Sequence, residues 1–180
     1  KFGGKSLANG KGLENAIEII RNKYNNNEKI TIVASARGNS TDELEAILNK
    51  ASAKKAYRKK FSAFKEYQQA PNLFVDFTQE FLKLETIFKG VSLLGDYSQK
   101  IKDTVLAQGE LISAKLLASL LEKENISANA TDARTLIITD ENFGNAQPII
   151  SISKENVIAY FKKNKDVINI VTGFISSNKK

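Results

Sequence analysis

Residues 167–175 read VINIVTGFI, a short run of mostly β-branched apolar residues that ends in a Thr-Gly turn. Two other segments have the same character, residues 29–36 (KITIVASA) and residues 128–133, which lead into residues 136–139. Short and nearly continuous apolar runs are typical of parallel strands that are covered on both faces. These segments therefore predict the buried strands of a parallel sheet, and Lys1-Phe2 is expected to be the end of a further strand.

Apolar residues at helical spacing fill the intervals between the predicted strands. The first predicted helix ends at the three asparagines 25–27, and Ser40 or Thr41 is expected to cap the second. Gly90 is expected to end the third helix, and Gly109 is expected to precede the fourth. The apolar positions that define the five helices are Leu13, Ala16, Ile17, Ile20 and Tyr24; Leu44, Ile47 and Leu48; Phe74, Phe77, Phe81, Leu84 and Phe88; Leu111, Leu116, Leu117, Leu120 and Leu121; and Val157, Ile158 and Phe161.

The alternation of strands and helices predicts an α/β fold, a three-layer α/β/α sandwich around a mostly parallel sheet. No linker rich in Pro, Gly or Ser divides the 180 residues, and no internal repeat is visible. Residues 1–180 are therefore expected to form one structural unit.

The composition excludes several kinds of chemistry. The chain has no Cys and no His, which excludes a disulfide framework, a thiolate zinc site, a cysteine nucleophile and the histidine-based triads. Any reaction must therefore use lysine, arginine, carboxylates, hydroxyls and backbone amides. The chain also has no Met, so Lys1 is not expected to be the residue at which translation begins.

The net charge of +7 arises from 27 basic and 20 acidic residues. Residues 50–65 contain seven of these cations and no acidic residue, which fits either a nucleic-acid patch or the solvated face of an amphipathic helix. Phe61 and Phe64 interleave at helical spacing and favour the helix. No apolar stretch approaches the roughly 18 residues needed to cross a bilayer, and no signal peptide opens the chain, so a cytoplasmic location is expected.

The opening sequence KFGGKS (residues 1–6) is the sharpest local motif. A strand that ends in Gly3-Gly4 lets the backbone approach a phosphate, and Lys1 and Lys5 add positive charge there. The spacing is not that of a Walker A loop, and an ordinary tight turn is the alternative.

Further polar loops follow the other predicted strands, where ligands collect in open α/β sheets. Hydroxyl groups at residues 35–41 suit a small polar ligand, although a helix cap explains part of that loop. The carboxylate of Glu110, directly after Gly109, either interacts favourably with the dipole at a helix start or pairs with a ligand ammonium group. The remaining candidate loops are residues 132–134 (DAR), 139–146 (TDENFGNA) and 172–178 (TGFISSN).

Taken in this order, the motifs resemble those of the aspartokinases, members of the amino-acid kinase superfamily. The opening KFGGKS is similar to the KFGGTS of that family, and the resemblance extends from residue 1 to residue 180. The loop SARGNSTDEL at residues 35–44 is most similar to versions that are fused to a homoserine dehydrogenase. Lys5 stands where the family usually has Thr, and Ser176 replaces a frequent Gly.

The resemblance implies a role for each matching residue. Lys1 is the expected catalytic lysine, and Glu110 is expected to bind the α-ammonium group of aspartate. The residues expected to contact ATP phosphates are Gly3, Gly4, Lys5, Thr172 and Gly173. Those expected to bind aspartate are Ser35, Thr41, Glu110, Phe143 and Gly144. No residue is expected to be a metal ligand.

The implied reaction is transfer of the γ-phosphoryl group of ATP, with Mg²⁺, to the β-carboxylate of L-aspartate, the first step of Lys, Thr, Met and Ile biosynthesis. The resemblance also implies that residues 1–180 are the amino-acid-binding N-terminal lobe of a longer, homo-oligomeric enzyme and are inactive alone, with the nucleotide-binding lobe and regulatory modules elsewhere. Two alternatives remain. One is a kinase of another acidic amino acid, and the other is a non-catalytic domain that binds anions or nucleic acid through residues 50–65.

Overall fold

The computed structural model describes residues 1–178. The strands in this part of the chain are β1 (Thr31–Ala34), β2 (Ala128–Thr131), β3 (Ile138–Thr139), β4 (Ile168–Thr172) and β5 (Ser177–Asn178). The helices are α1 (Lys11–Asn25), α2 (Ser40–Ser52), α3 (Arg58–Gln69), α4 (Thr78–Leu94), α5 (Gln99–Lys123) and α6 (Ile150–Lys163), with 3₁₀ turns at Lys5–Leu7 and Ala133–Thr135.

The central sheet is parallel and has the strand order β1-β4-β2. Phe2 extends it beside β1, because the Phe2 amide donates to the Val33 carbonyl at 2.9 Å and the Phe2 carbonyl accepts from the Ser35 amide at 3.1 Å. A second, two-stranded parallel sheet joins β3 to β5. The predicted strands are confirmed, although β1 and β2 are shorter than the apolar runs that predicted them.

Helices cover both faces of the central sheet. Helix α5 packs against one face, where Ile168 and Ile170 belong to the buried core, and α1 lies beside it through an ion pair from Arg21 to Glu124. Helix α6 covers the other face, where the Tyr160 hydroxyl hydrogen-bonds to the side chains of Asn129, Thr131 and Asn169. The predicted three-layer α/β/α arrangement is confirmed.

Helices α2 and α4 pack on α5, and α3 packs against α2. Phe61 and Phe64 of α3 are buried, and the Phe61 ring meets the Phe88 ring edge to face at a centroid distance of 5.2 Å. The cations of residues 50–65 lie on the solvent side of this segment. The amphipathic helix that the sequence favours is therefore formed by α3, which contains the second half of the basic segment.

Four details of the helix prediction are wrong, the fourth being the cap of α2 described below. Gly90 does not end a helix: α4 continues to Leu94 and ends at Gly95, whose φ of 84° is the left-handed conformation that glycine adopts most easily. Gly109 lies inside α5, which begins ten residues earlier, at Gln99. Phe74 precedes α4 and is 90% exposed, so it does not belong to the aromatic core.

The expectation that no apolar stretch approaches the length of a membrane span is wrong, because α5 has 25 residues and is long and apolar enough to cross a membrane by length and composition. Two thirds of its most apolar window is nevertheless buried inside the fold, as is expected for the central helix of a core. Ser40 and Thr41 both lie within α2 rather than capping it, since Asn39 holds the cap position.

Candidate active site

A cleft of about 1020 Å³ opens at the carboxyl ends of β1 and β4. This is the edge at which ligands bind in open parallel sheets. Eight residues singled out from the sequence line it together: Lys1, Gly3, Gly4, Ser35, Thr41, Glu110, Phe143 and Gly144.

The Gly3-Gly4 turn is held against the loop that follows β1. The Gly38 amide donates to the Gly4 carbonyl at 2.8 Å. A Cβ atom on Gly4 would lie 2.7 Å from the carbonyl oxygens of both Ala36 and Gly38, so this position requires glycine. Gly3, in contrast, has open space beside it, and its backbone is accessible from the cleft.

Glu110 projects into the cleft from the middle of α5. It is 7% exposed, and its Oε1 atom accepts a hydrogen bond from the Ala36 amide at 3.2 Å. Burial raises the pKa of Glu110 to about 7, although the hydrogen bond from Ala36 acts in the opposite direction. Glu110 forms no ion pair with a described basic side chain, so a ligand cation is the natural partner of this carboxylate.

Three cationic side chains line the same cleft: Lys1, Lys100 and Arg134. Arg134 is oriented by Asp132, to which its guanidinium donates through Nε at 3.0 Å and through Nη2 at 2.6 Å. A cleft that combines these cations with one buried carboxylate suits a ligand that carries both anionic groups and an amine.

Phe174 is a cleft residue that the sequence analysis missed. The Lys1 Nζ atom lies 4.4 Å from the centroid of the Phe174 ring, a cation–π contact. Phe174 is 86% exposed and has a φ of 58°, which is uncommon for a bulky residue and marks a constrained turn. The TGFI motif contains Phe174, but a role at the site was expected of its neighbour Gly173.

Two residues of α5 hold the 140–147 loop over the cleft. The Gly144 amide donates to Asp103 Oδ2 at 2.8 Å, and the Lys100 Nζ atom lies 5.5 Å from the Phe143 ring centroid. Asp140 closes the loop from inside by accepting hydrogen bonds from two of its backbone amides. Sequence reasoning selected Phe143 and Gly144 but not Lys100 and Asp103, because nothing in the helical pattern links them to a loop about 40 residues later.

Three of the residues expected to contact phosphate do not line the cleft. Lys5 lies in the exposed 3₁₀ turn after Gly4. Thr172 is buried, and its hydroxyl oxygen accepts a hydrogen bond from the Ala133 amide at 2.8 Å. Gly173 lies behind the cleft, where its amide donates to the Ala34 carbonyl at 2.8 Å. Ser176, by comparison, does line the cleft.

Residues 1–178 contain no cluster of three or more acidic side chains that could hold a metal ion. Mg²⁺ in phosphoryl-transfer enzymes is bound largely by substrate phosphates, with one or two carboxylates. The described residues therefore form no dedicated metal cage.

Comparison with known proteins identifies the family and the fold. The model of the amino acid kinase family matches residues 1–180. The chain belongs to the amino acid kinase family. The resemblance inferred from the motif order is thereby confirmed.

Curated relatives within this kinase family are aspartokinases and bifunctional enzymes. The chain is 27% identical over 190 residues to bifunctional aspartokinase/homoserine dehydrogenase 2, chloroplastic, from Arabidopsis thaliana, covering 98% of this chain and 20% of that protein. It is 27% identical to an aspartokinase from Rickettsia felis, and the match covers 99% of this chain and 34% of that protein. It is 24% identical to lysine-sensitive aspartokinase 3 from Escherichia coli, and the match covers 100% of this chain and 41% of that protein. The chain thus spans between a fifth and two fifths of these relatives.

Solved structures of the family share the fold. The crystal structure of E. coli aspartokinase III in complex with aspartate and ADP superposes with a TM-score of 0.85, at 24% sequence identity, over 99% of this chain and 40% of that one. The aspartate kinase of Clostridium acetobutylicum gives a TM-score of 0.70 at 21% identity, over 99% of this chain and 39% of that one.

Proposed function

We propose that the protein is an aspartate kinase, which transfers the γ-phosphoryl group of ATP to the β-carboxylate of L-aspartate. The observation that carries the proposal is Glu110, a buried carboxylate without a described cationic partner, which faces a cleft lined by Lys1, Lys100 and Arg134. Aspartate carries the matching groups, one ammonium and two carboxylates. Family membership supports phosphoryl transfer, and the relatives named above support aspartate as the acceptor.

In this proposal the amino acid lies with its α-ammonium group on Glu110. The side chains of Ser35 and Thr41 line the same cleft and are available to donate to its carboxylates. Phe143 and Gly144 also line the cleft, on the loop that Asp103 holds in place. Because the Glu110 carboxylate is shielded from water, its pairing with an ammonium group is stronger than that of a surface ion pair.

Phosphoryl transfer is assigned to Lys1 and the Gly3-Gly4 turn, which line the same cleft. Lys1 balances the charge on the phosphoryl group as the bond to ADP breaks and the bond to the aspartate oxygen forms, while the Gly3-Gly4 backbone gives the phosphates close access. The phosphate roles expected of Lys5, Thr172 and Gly173 gain no support from the cleft, which these residues do not line.

This chemistry agrees with the composition of the chain. The attacking carboxylate is already ionised at neutral pH, so no histidine or cysteine base is needed, and catalysis rests on positioning and on charge stabilisation. Mg²⁺ bound to the ATP phosphates would neutralise part of their charge. The residues of this chain orient the acceptor and hold the positive charge of Lys1 beside it.

The proposal extends beyond residues 1–180 to the whole protein. Because the chain spans 20–41% of the relatives compared here, we propose that it forms the amino-acid-binding lobe and that the nucleotide-binding lobe, regulatory modules and subunit contacts lie elsewhere in the protein. The cytoplasmic location remains a prediction, and some plant relatives are named as chloroplastic.

The proposal is tested by assaying the intact protein for ADP release with L-aspartate, L-glutamate and N-acetyl-L-glutamate as acceptors. Trapping the acyl phosphate with hydroxylamine confirms that a carboxylate is phosphorylated. We expect turnover with L-aspartate and a kcat/KM at least tenfold lower with the other two. Preferred turnover of another acceptor would contradict the assignment to aspartate, and the absence of any acyl phosphate would contradict the kinase assignment. The isolated 180 residues are expected to give no product.

A further inference from the structure

Arg37 is a buried cation without a carboxylate partner among the described residues. It is 1% exposed, lies on the loop between β1 and α2, and does not line the cleft. Burial lowers the pKa of Arg37 to about 10, so the guanidinium still carries its charge at neutral pH. Because an unpaired buried charge is costly, its presence here calls for a role that offsets the cost.

The guanidinium of Arg37 joins its own loop to two other segments of the chain. Its Nη1 atom donates to the Asn9 side chain, which precedes α1, and its Nη2 atom donates to the Tyr67 carbonyl at 2.5 Å and to Gln68 Oε1 at 3.1 Å on α3. The guanidinium carbon also lies 4.3 Å from the centroid of the Tyr67 ring. The buried Nε atom has no hydrogen-bond partner in the described part of the chain.

The same contacts fix the backbone of the loop. The Arg37 carbonyl accepts from the amide and the hydroxyl of Ser40, and Gln68 Nε2 donates to that hydroxyl at 2.6 Å. Gly38 has a φ of 59°, and the Tyr67 hydroxyl lies 2.4 Å from the place where a Cβ atom of Gly38 would be. The loop is therefore enclosed on the side opposite the cleft.

On the cleft side, the two neighbours of Arg37 make the backbone hydrogen bonds that shape the site. The Ala36 amide donates to Glu110, and the Gly38 amide donates to the Gly4 carbonyl. A shift of the loop would thus move the donor that Glu110 needs.

We propose that Arg37 is a positioning residue, which holds the β1–α2 loop so that the Ala36 amide stays on the carboxylate of Glu110. The guanidinium acts from behind the loop, by joining it to Asn9 and to α3. The expected change in KM for L-aspartate rests on the proposed function, because Glu110 is the proposed partner of the substrate ammonium group.

The test compares Arg37→Met with Asn9→Ala and with the matched control Arg58→Met in the intact protein. Arg58 is an exposed arginine at the start of α3. Asn9→Ala removes one of the three attachments and leaves the guanidinium in place, so it remains informative if Arg37→Met does not fold. The measurements are KM for L-aspartate, its pH profile, and the ¹³C NMR titration of the Glu110 carboxyl carbon in the ligand-free protein.

We expect Arg37→Met to raise KM for L-aspartate by roughly tenfold or more, the factor for a lost hydrogen bond to a charged group, with a smaller rise for Asn9→Ala. The hydrogen bond from Ala36 lowers the pKa of Glu110, so its loss shifts the Glu110 titration to higher pH. Arg58→Met should change neither quantity. Other charged groups that line the cleft, and are unchanged in these variants, are Lys1, Asp42, Lys100, Asp103, Arg134 and Asp140.

A purely structural role gives a different result. It lowers Tm but leaves KM within twofold of the wild-type value and the Glu110 titration unmoved in both folded variants, which would overturn the proposal. If the wild-type protein does not phosphorylate aspartate, the proposed function fails, while the Glu110 titration still tests Arg37 alone. In that case, an unchanged Glu110 titration in folded Asn9→Ala and Arg37→Met would overturn the positioning role of Arg37.

Discussion

Gly109 packs directly against Ala36, and a Cβ atom on Gly109 would lie 2.9 Å from the Ala36 Cβ atom. This contact is the point at which α5 crosses the loop after β1. It is also what lets Glu110, the next residue of α5, reach the Ala36 amide. A glycine in the middle of a 25-residue helix is thus required by the close approach of the Ala36 methyl group to the helix backbone.

Gly109→Ala is expected to destabilise the protein and to weaken amino-acid binding. Helix propensity alone favours alanine by about 1 kcal/mol, but overpacking costs about 1–3 kcal/mol where neither backbone can move freely. We therefore expect a lower free energy of unfolding and a higher KM for L-aspartate, measured by denaturant unfolding and by steady-state kinetics.

Gly90→Ala is the matched control for this prediction. Gly90 also lies inside a helix, but no atom is within 4 Å of the place where its Cβ would be. This substitution should stabilise the protein by about 0.5–1 kcal/mol and leave KM unchanged. Equal effects of the two substitutions would show that the contact between Gly109 and Ala36 has no consequence.

Glu110→Gln is expected to raise KM for L-aspartate by about tenfold to a hundredfold, because a charged partner of the ammonium group becomes neutral. The value of kcat should change much less, since Glu110 does not act on the phosphoryl group. Steady-state kinetics of the intact protein measure both quantities. The exposed Glu122 on the same helix provides the control Glu122→Gln, which should behave as wild type.

The pH dependence of aspartate binding should follow the ionisation of Glu110. Its pKa is raised from 4.5 to about 7, so the carboxylate that pairs with an ammonium group forms as the pH rises through 7. KM for L-aspartate should therefore fall between pH 6 and pH 8. Isothermal titration across this range should show the same trend, and Glu110→Gln should abolish it. A flat profile in the wild-type protein would contradict the assignment.

The stability of the ligand-free protein should change in the opposite direction. A carboxyl group with a raised pKa contributes stability that is fully present below pH 4.5 and is lost as the pH rises through about 7. We expect the Tm of the ligand-free protein to decrease less from pH 5 to pH 8 in Glu110→Gln than in the wild type. Differential scanning calorimetry at a series of pH values provides the comparison.

Lys1→Met is expected to lower kcat by about a hundredfold to a thousandfold, the range for the loss of one group that stabilises developing charge. KM for L-aspartate should change little, because Lys1 is assigned to the phosphoryl group. Single-turnover kinetics of the intact protein isolate the chemical step. Lys11→Met, an exposed lysine on α1, is the control. A kcat within threefold of wild type would remove Lys1 from the proposed mechanism.

The sequence was sufficient for the layers of the fold and for most of the cleft, because strand ends and glycine turns are encoded locally. It was insufficient wherever a tertiary contact decides the outcome. Gly109 looked like a helix start because a glycine usually interrupts a helix, whereas packing against Ala36 makes it an interior residue. Phe74 fitted the helical spacing of an aromatic stripe, yet the chain before α4 turns it outwards.

The residues of the cleft also divide into those that local motifs predict and those that only tertiary contacts reveal. Lys1 and Glu110 were found from motifs, since each lies in a short pattern with a chemical reason. Phe174 was passed over, because its contact with Lys1 joins the two ends of the described chain and no local pattern reveals it. The role of Arg37 depends in the same way on contacts with α3, about 30 residues away.

The strand order β1-β4-β2 places the last of the three central strands between the other two. During synthesis β1 can therefore pair only with Phe2, and β2 has no strand partner among the described residues of this sheet, until residues 168–172 have left the ribosome. Pairings between residues so distant in sequence form slowly, and unpaired strand edges expose a chain to aggregation meanwhile. We expect nascent chains that stop before β4 to depend on chaperones and to be degraded readily, and the emergence of β4 to be the step that makes the lobe resistant to proteases.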